Sequence, residues 1–213
     1  MTTVGILGGT GPAGRGVAVR LAGAGHDVIL GSRDAERATQ VAAGFNVSEI
    51  RGASNEDAAH CEIVVVATPW DSAVATVRAL REPLAGKIVI SMVNALMKEG
   101  REMLALYPPR GSMAAQIAAA LPTSHVVGAF HHLPASEMEN LESDLAADVV
   151  IFGDDVEARN RVESLVNEMP GLRAVIAGTM SLASAVEAFT AVCISINIRY
   201  KAHSYVNLAG LSI

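Results

Sequence analysis

Cysteine is scarce in this chain: Cys61 and Cys193 are the only two in 213 residues, far apart and in apolar surroundings. No CxxC pair and no Cys/His spacing offers a metal site or a disulfide framework, so two buried thiols in a reducing compartment are expected. Positive charge is scarce as well. Lys and Arg total 16 against 22 Asp and Glu, for a net charge of −6, and the cations are scattered. That argues against a nucleic-acid partner, because phosphate contacts need clustered cations. The opening MTTVGILGG has neither a basic start nor an apolar run before a small-residue cleavage site, so the cytoplasm is the expected location. The most apolar late stretch, residues 183–198, falls short of the roughly 20 residues of a membrane span and carries Glu187. A buried helix or a subunit interface is expected there, and no membrane partner.

Common catalytic signatures are missing too. Tyr107 is followed by Pro-Pro-Arg-Gly, Tyr200 by Lys-Ala-His-Ser and Tyr205 by Val-Asn-Leu-Ala, so no Tyr-x-x-x-Lys pair supplies the proton donor of short-chain carbonyl reductases. GxSxG, HExxH and a Walker lysine are absent as well. Neither a nucleophile nor a metal is indicated.

What is present is a hydrophobic content of 51% arranged in short runs between helical patterns, enough for one substantial domain and a small annex. Val4–Leu7 reads as a buried strand, a glycine turn follows, and Val17, Leu21 and Ala24 mark a helix. Further strands are predicted at residues 27–31, 47–51, 63–68, 87–92 and 125–130, with a helix over 34–43. Near-continuous Val/Ile runs alternating with helices predict a Rossmann-type doubly wound parallel sheet of the α/β class. Beyond His131-His132-Leu133-Pro134 the texture changes to strands at 149–152 and 172–176, a helix over 156–169 and the long apolar segment. Residues 1–135 are therefore expected to form a dinucleotide-binding domain. Residues 136–213 are expected to form a smaller α+β or helical unit that closes the cleft and provides a dimer interface.

Gly9-x-Gly11-x-x-Gly14 stands between the first strand and the first helix, where the chemistry of phosphate binding needs it. Glycine permits the turn and the close approach of a pyrophosphate, and the helix N-terminus meets the anion. Gly9, Thr10, Gly11, Pro12 and Ala13 are assigned to this site, with Pro12 at home in the first helical turn. The second strand ends in Gly31-Ser32-Arg33, where a carboxylate would select an unphosphorylated ribose. A hydroxyl and a guanidinium stand there instead, and Arg37 follows one helical turn on, so NADP(H) is the expected cofactor. Thr68, Pro69 and Trp70 end one strand, and Val93 and Asn94 another, on the rim where open α/β sheets bind ligands. His131 adjoins the presumed nicotinamide position and could donate a proton or a hydrogen bond.

These residues, with Asn55-Glu56-Asp57-Ala58, Leu133-Pro134-Ala135, Gly153-Asp154-Asp155, Gly171-Leu172-Arg173, Glu187 and Gly210-Leu211, make the chain resemble the coenzyme F420-dependent NADP oxidoreductases over nearly its whole length. The resemblance implies hydride exchange between nicotinamide C4 of NADPH and C5 of the deazaflavin coenzyme F420. It implies that Thr10, Ser32, Arg33 and Arg37 hold the 2′-phosphate end, that His131 and Leu133 line the deazaflavin side, and that Ala135 lies at the seam between the rings. Catalysis would then be positioning, with His131 at most an auxiliary and no metal. Some of Arg199, Lys201 and His203 are expected to screen the anionic tail of the coenzyme, and a homodimer is expected. Two other readings stay open: an NADPH-dependent imine or carbonyl reductase, and a non-catalytic NADPH sensor.

Overall fold

Apolar β-branched segments set the sheet, and glycines decide how closely the helices approach it. The computed structural model describes residues 1–211, so Ser212 and Ile213 of the expected second unit lie outside the described residues. In chain order the first half comprises β1 (Thr3–Leu7), α1 (Pro12–Gly23), β2 (Asp27–Ser32), α2 (Ala35–Ala43), β3 (Ile50–Ser54), α3 (Asn55–Ala59), β4 (Ile63–Val66), α4 (Trp70–Ala79) and β5 (Ile88–Ser91). The second half comprises β6 (Leu96–Glu99), β7 (Glu102–Ala105), α5 (Met113–Ala120), β8 (His125–Gly128), α6 (Ala135–Glu139), β9 (Ala147–Gly153), α7 (Val156–Glu168), β10 (Leu172–Gly178) and α8 (Ala183–Tyr200).

Eight strands form one sheet in the order β10-β9-β8-β5-β4-β1-β2-β3, and every neighbouring pair is parallel except β8 and β9. The order reverses between β1 and β4, which opens a crevice at the carboxyl ends of those strands. Side chains alternate across the sheet. Val4, Ile6, Val28, Leu30, Ile63 and Val65 pack with Val17 and Leu21 of α1 on one face, and Val64, Val66 and Val89 pack with Val77 of α4 and Ile117 of α5 on the other.

The sheet does not stop at residue 135. Strands β9 and β10 extend it past β8, and Val149, Ile151, Val162 and Leu165 belong to the same hydrophobic cluster as Val4 and Leu21. The third strand starts later than its apolar residues suggest, because Asn46 turns the chain at φ 53° and Val47 is exposed. Its Gly52 packs against α2, where a Cβ would meet Ala38 backbone at 2.1 Å. The β6–β7 hairpin is not foreshadowed by β-branched residues; Gly100, at φ 58°, marks its turn.

The late apolar segment is longer than its composition suggests. A 3-10 turn, Met180–Leu182, leads directly into α8, giving a 21-residue helical run long and apolar enough to cross a membrane. Its Glu187 is instead engaged by protein. The carboxylate accepts from the Met113 N–H at 2.6 Å and the Ala114 N–H at 2.8 Å, at the start of α5.

Candidate active site

The glycine turn closes on itself before the helix begins. Gly8 adopts φ 72°, Gly9 N–H donates to Gly31 O at 2.9 Å, and Gly11 N–H donates to Gly8 O at 3.2 Å. Gly9 and Gly14 are packed tightly: a Cβ on Gly14 would lie 2.8 Å from Gly9 Cα, and one on Gly9 would lie 2.9 Å from Ile6 O. Gly11 differs, since a Cβ there would meet only Gly8 O at 3.6 Å, so the loop is open on that side. No side chain caps α1, and Arg15 is the first of its residues to donate a main-chain bond, to Gly11 O at 2.9 Å. The N–H groups of the first turn, Ala13 among them, are left for an anion. The loop therefore fits a dinucleotide pyrophosphate.

At the end of β2 the Ser32 hydroxyl accepts from Asp34 N–H at 3.1 Å, and the Asp34 carboxylate caps α2 by accepting from Arg37 N–H at 3.0 Å. That accounts for the acidic neighbour locally. Arg33 and Arg37 are exposed and form no ion pair with Asp34 or Glu36 among the described residues. Two unpaired guanidinium groups one turn apart suit a phosphate.

Along the rim a hollow of about 290 Å³ opens, lined on one side by Ala13, Met92 and Asn94, on another by His131, Leu133 and Ala135, and on the third by Thr190, Cys193 and Asn197 of α8 and its exit. This brings together five residues expected in the site: Ala13, Asn94, His131, Leu133 and Ala135. Thr10, Ser32, Arg33 and Arg37 stand at the far end, by the carboxyl edge of β2. Trp70 is 41% exposed and lines a different hollow, with Tyr107 and Met113, next to Thr68 and Pro69 on the rim. Val93 has its side chain in the second core cluster, so only its main chain is available.

The strand β8 exit is backed by a ring stack. Gly128 lacks a side chain where one would lie 2.0 Å from Phe152 Cζ, so the Phe152 ring crosses β8 and stacks on His131 with centroids 5.3 Å apart. Phe130, just before, holds φ 66°, a left-handed conformation that costs a bulky residue of order 1–3 kcal/mol. His131 is 5% exposed, and neither ring nitrogen has a protein partner among the described residues. Burial pushes its pKa down to about 3, with the neighbouring His132 acting in the same direction, so the imidazole is neutral at physiological pH. It offers one donor and one acceptor, not a strong acid.

Helix α8 holds this loop. Thr190 Oγ1 reaches His131 O at 3.2 Å and Asn94 Oδ1 at 3.1 Å, Asn94 Nδ2 donates to His131 O at 3.3 Å, and His132 Nε2 bonds Val186 O at 2.8 Å. Sequence reasoning did not find Thr190, Phe152 or Arg20; an isolated Thr in an apolar helix carries no local signal. The C-terminal cations separate. Arg199 lies with Arg101 and Ser195 in a depression on the face of α8 opposite Thr190 and Asn197, whereas His203 Nδ1 lies 3.2 Å from Ser136 Oγ beside the cleft. Arg199 is thus not aimed at the cleft.

The reversal in strand order, the glycine turn and the cleft at its rim define a dinucleotide-binding protein of Rossmann type. The family model described as NADP oxidoreductase coenzyme F420-dependent matches residues 3–95. The F420-dependent NADP reductase of Methanocaldococcus jannaschii is 34% identical over 209 residues, covering 93% of this chain and 93% of that protein. A crystal structure assigned as an F420-dependent NADP reductase from Arthrobacter sp. FB24 superposes with a TM-score of 0.84 at 26% identity, covering 96% of this chain and 97% of that one. An imine reductase from Bacillus cereus superposes at a TM-score of 0.62 with 18% identity and shares the fold alone, this chain spanning 61% of its length. The chain belongs to the F420-dependent NADP reductase family.

Proposed function

We propose that this protein transfers a hydride reversibly between NADPH and the deazaflavin coenzyme F420. The observation that carries the reading is one continuous rim with an open glycine loop and unpaired Arg33 and Arg37 at one end and the His131–Leu133–Ala135 cleft at the other. NADPH supplies a hydride from nicotinamide C4, the deazaflavin accepts it at C5, and a solvent proton completes the reduced coenzyme. The cleft's volume suits a planar ring rather than a whole coenzyme, at the small end of ligand pockets.

The protein's contribution is placement. Gly9, Gly11 and Ala13 seat the pyrophosphate. Thr10, Ser32, Arg33 and Arg37 take the 2′-phosphate, and Asn94, His131, Leu133 and Ala135 flank the rings. Neutral His131 provides a hydrogen bond from a buried ring stacked on Phe152. Holding two reactants in register is worth up to about 7–11 kcal/mol in favourable cases, which accounts for chemistry without a nucleophile.

Mixing enzyme, NADPH and oxidised coenzyme F420 should bleach the deazaflavin absorbance, and NADH should not substitute efficiently. In the Arg33→Ala/Arg37→Ala variant the NADPH dissociation constant is expected to rise about 30-fold, with NADH affected little. Equal losses for both nucleotides would remove the phosphate site. The imine reductase reading is tested by adding a cyclic imine to that mixture: its turnover without any bleaching would favour that reading.

A cytoplasmic homodimer completes the reading. Leu182, Phe189, Val192 and Ile196 of the α8 segment, spaced three to seven residues apart, are each more than 40% exposed and share a side of the helix. Such a stripe is costly to leave in water. Sedimentation equilibrium should return twice the chain mass for the wild type and the single mass for Val192→Glu; a monomeric wild type removes the dimer.

A further inference from the structure

Helix α3 carries no residue in the expected set, yet it lies directly under the dinucleotide end of the rim. It sits there because two glycines make room. A Cβ on Gly5 would lie 1.9 Å from Ala58 O, and one on Gly31 would lie 2.8 Å from both Ala58 Cβ and Asn55 Oδ1. The helix start is fixed by a capping box between Ser54 and Asp57. Ser54 is also the register partner of Ser32 across β2 and β3. Asn55, the next residue, is thereby wedged between the end of β2 and the glycine turn. Its Oδ1 accepts from Gly8 N–H at 3.1 Å, the amide of the residue held at φ 72°.

The backbone amide of Gly8 can only donate, so the side-chain oxygen faces it and the NH2 group faces away. That NH2 has no protein partner among the described residues. A carboxylate would accept from Gly8 equally well, and at the first position of a helix the dipole favours an acid, as at neighbouring Glu56 and Asp57. A neutral amide stands there instead, beside Gly31-Ser32 and the unpaired arginines.

We propose that Asn55 is a specificity-determining residue for the 2′-phosphorylated dinucleotide: its carbonyl holds the Gly8 turn, and its NH2 donates to an oxygen of the adenosine ribose or its 2′-phosphate. This deepens the NADPH reading and rests on it. An aspartate at this position keeps the turn but places a negative charge against the phosphate. A leucine removes both contacts.

The test is a fluorescence titration of the full chain with NADPH and with NADH. Asn55→Asp is expected to weaken NADPH by about tenfold or more while NADH changes by less than about threefold. Asn55→Leu is expected to weaken both, NADPH more than NADH, because the turn loses its anchor and the phosphorylated end also loses the NH2 donor. An Asn55→Asp protein whose NADPH-to-NADH preference stays within about twofold of wild type overturns the assignment, as does an Asn55→Leu protein with both affinities unchanged. Wild-type protein that binds no NADPH overturns the parent reading along with it, whereas wild-type selectivity with unresponsive variants overturns this inference alone.

Discussion

Arg20→Met is expected to lower the unfolding free energy by about 4 kcal/mol. Arg20 lies in α1 and is 1% exposed. Its guanidinium donates to four main-chain oxygens: Met138 O at 3.2 Å, Pro170 O at 2.8 Å, and Glu137 O and Asn140 O at 2.7 Å each. Burial pulls its pKa down and Glu137 opposes that shift, but a guanidinium stays charged. Methionine fills the stem and leaves four acceptors without a donor, each costing about 1–3 kcal/mol where water cannot enter. Partial hydration brings the total below the sum.

The loss has a functional side. Arg20 ties the helix of the phosphate loop to α6, which begins at Ala135 on the cleft. Gly16 reinforces the tie, since a Cβ there would lie 2.5 Å from Met138 Cβ, and Arg15 pairs with Glu139 at 3.1 Å. In Arg20→Lys, one point charge replaces a five-donor fork, so stability should fall less and hydride transfer should slow more than NADPH binding weakens. Urea denaturation of both variants checks the ledger. A loss under about 1 kcal/mol for Arg20→Met would show that water replaces the guanidinium.

Glu187→Gln should make stability rise more steeply with pH between about 4.5 and 6.5. In the native protein burial raises the Glu187 pKa from 4.5 to about 7, against the pull of the Ala114 and Met113 amides. Between those values the native state holds a proton that the unfolded state has released, so this group makes stability fall as pH rises. The contribution reaches at most about 3 kcal/mol at pH 7. His131 acts in the opposite sense. Its pKa is pushed from 6.5 down to about 3, so its stability is present above 6.5 and is lost as pH falls toward 3. The two slopes oppose one another in the wild type, and glutamine removes the glutamate's, leaving that of His131 reinforced by His26 and His132, whose pKa values burial also lowers. Denaturation midpoints at pH 5, 6 and 7 decide the matter: parallel profiles would falsify a protonated native Glu187.

The parallel sheet, the glycine turn and the Ser32–Arg33 end of β2 were legible in the chain because each is a local pattern. Val4–Leu7 and Ile63–Val66 are continuous apolar runs, and a turn that needs φ above zero announces itself by glycine at Gly8. The β6–β7 hairpin was not legible, since Leu96–Ala105 lacks both β-branched residues and strict alternation. Glu187 read as a reason to keep a helix out of lipid. Only folding showed that its carboxylate serves the first turn of α5, 73 residues away in sequence.

By itself, then, the sequence determined the class of sheet, the glycine turn and the presence of a hydroxyl and cations rather than an acid at the second strand, since these are written in local patterns of strand, turn and helix. Tertiary structure alone decided that β9 and β10 extend the first sheet, that Arg199 turns away from the cleft while His203 borders it, and that Arg20, Asn55 and Thr190 hold the loops in place. Each of those outcomes depends on contacts between residues at least 24 positions apart or on which face of a helix meets a neighbour. Such contacts arise only when distant elements share a core, and no local pattern encodes them.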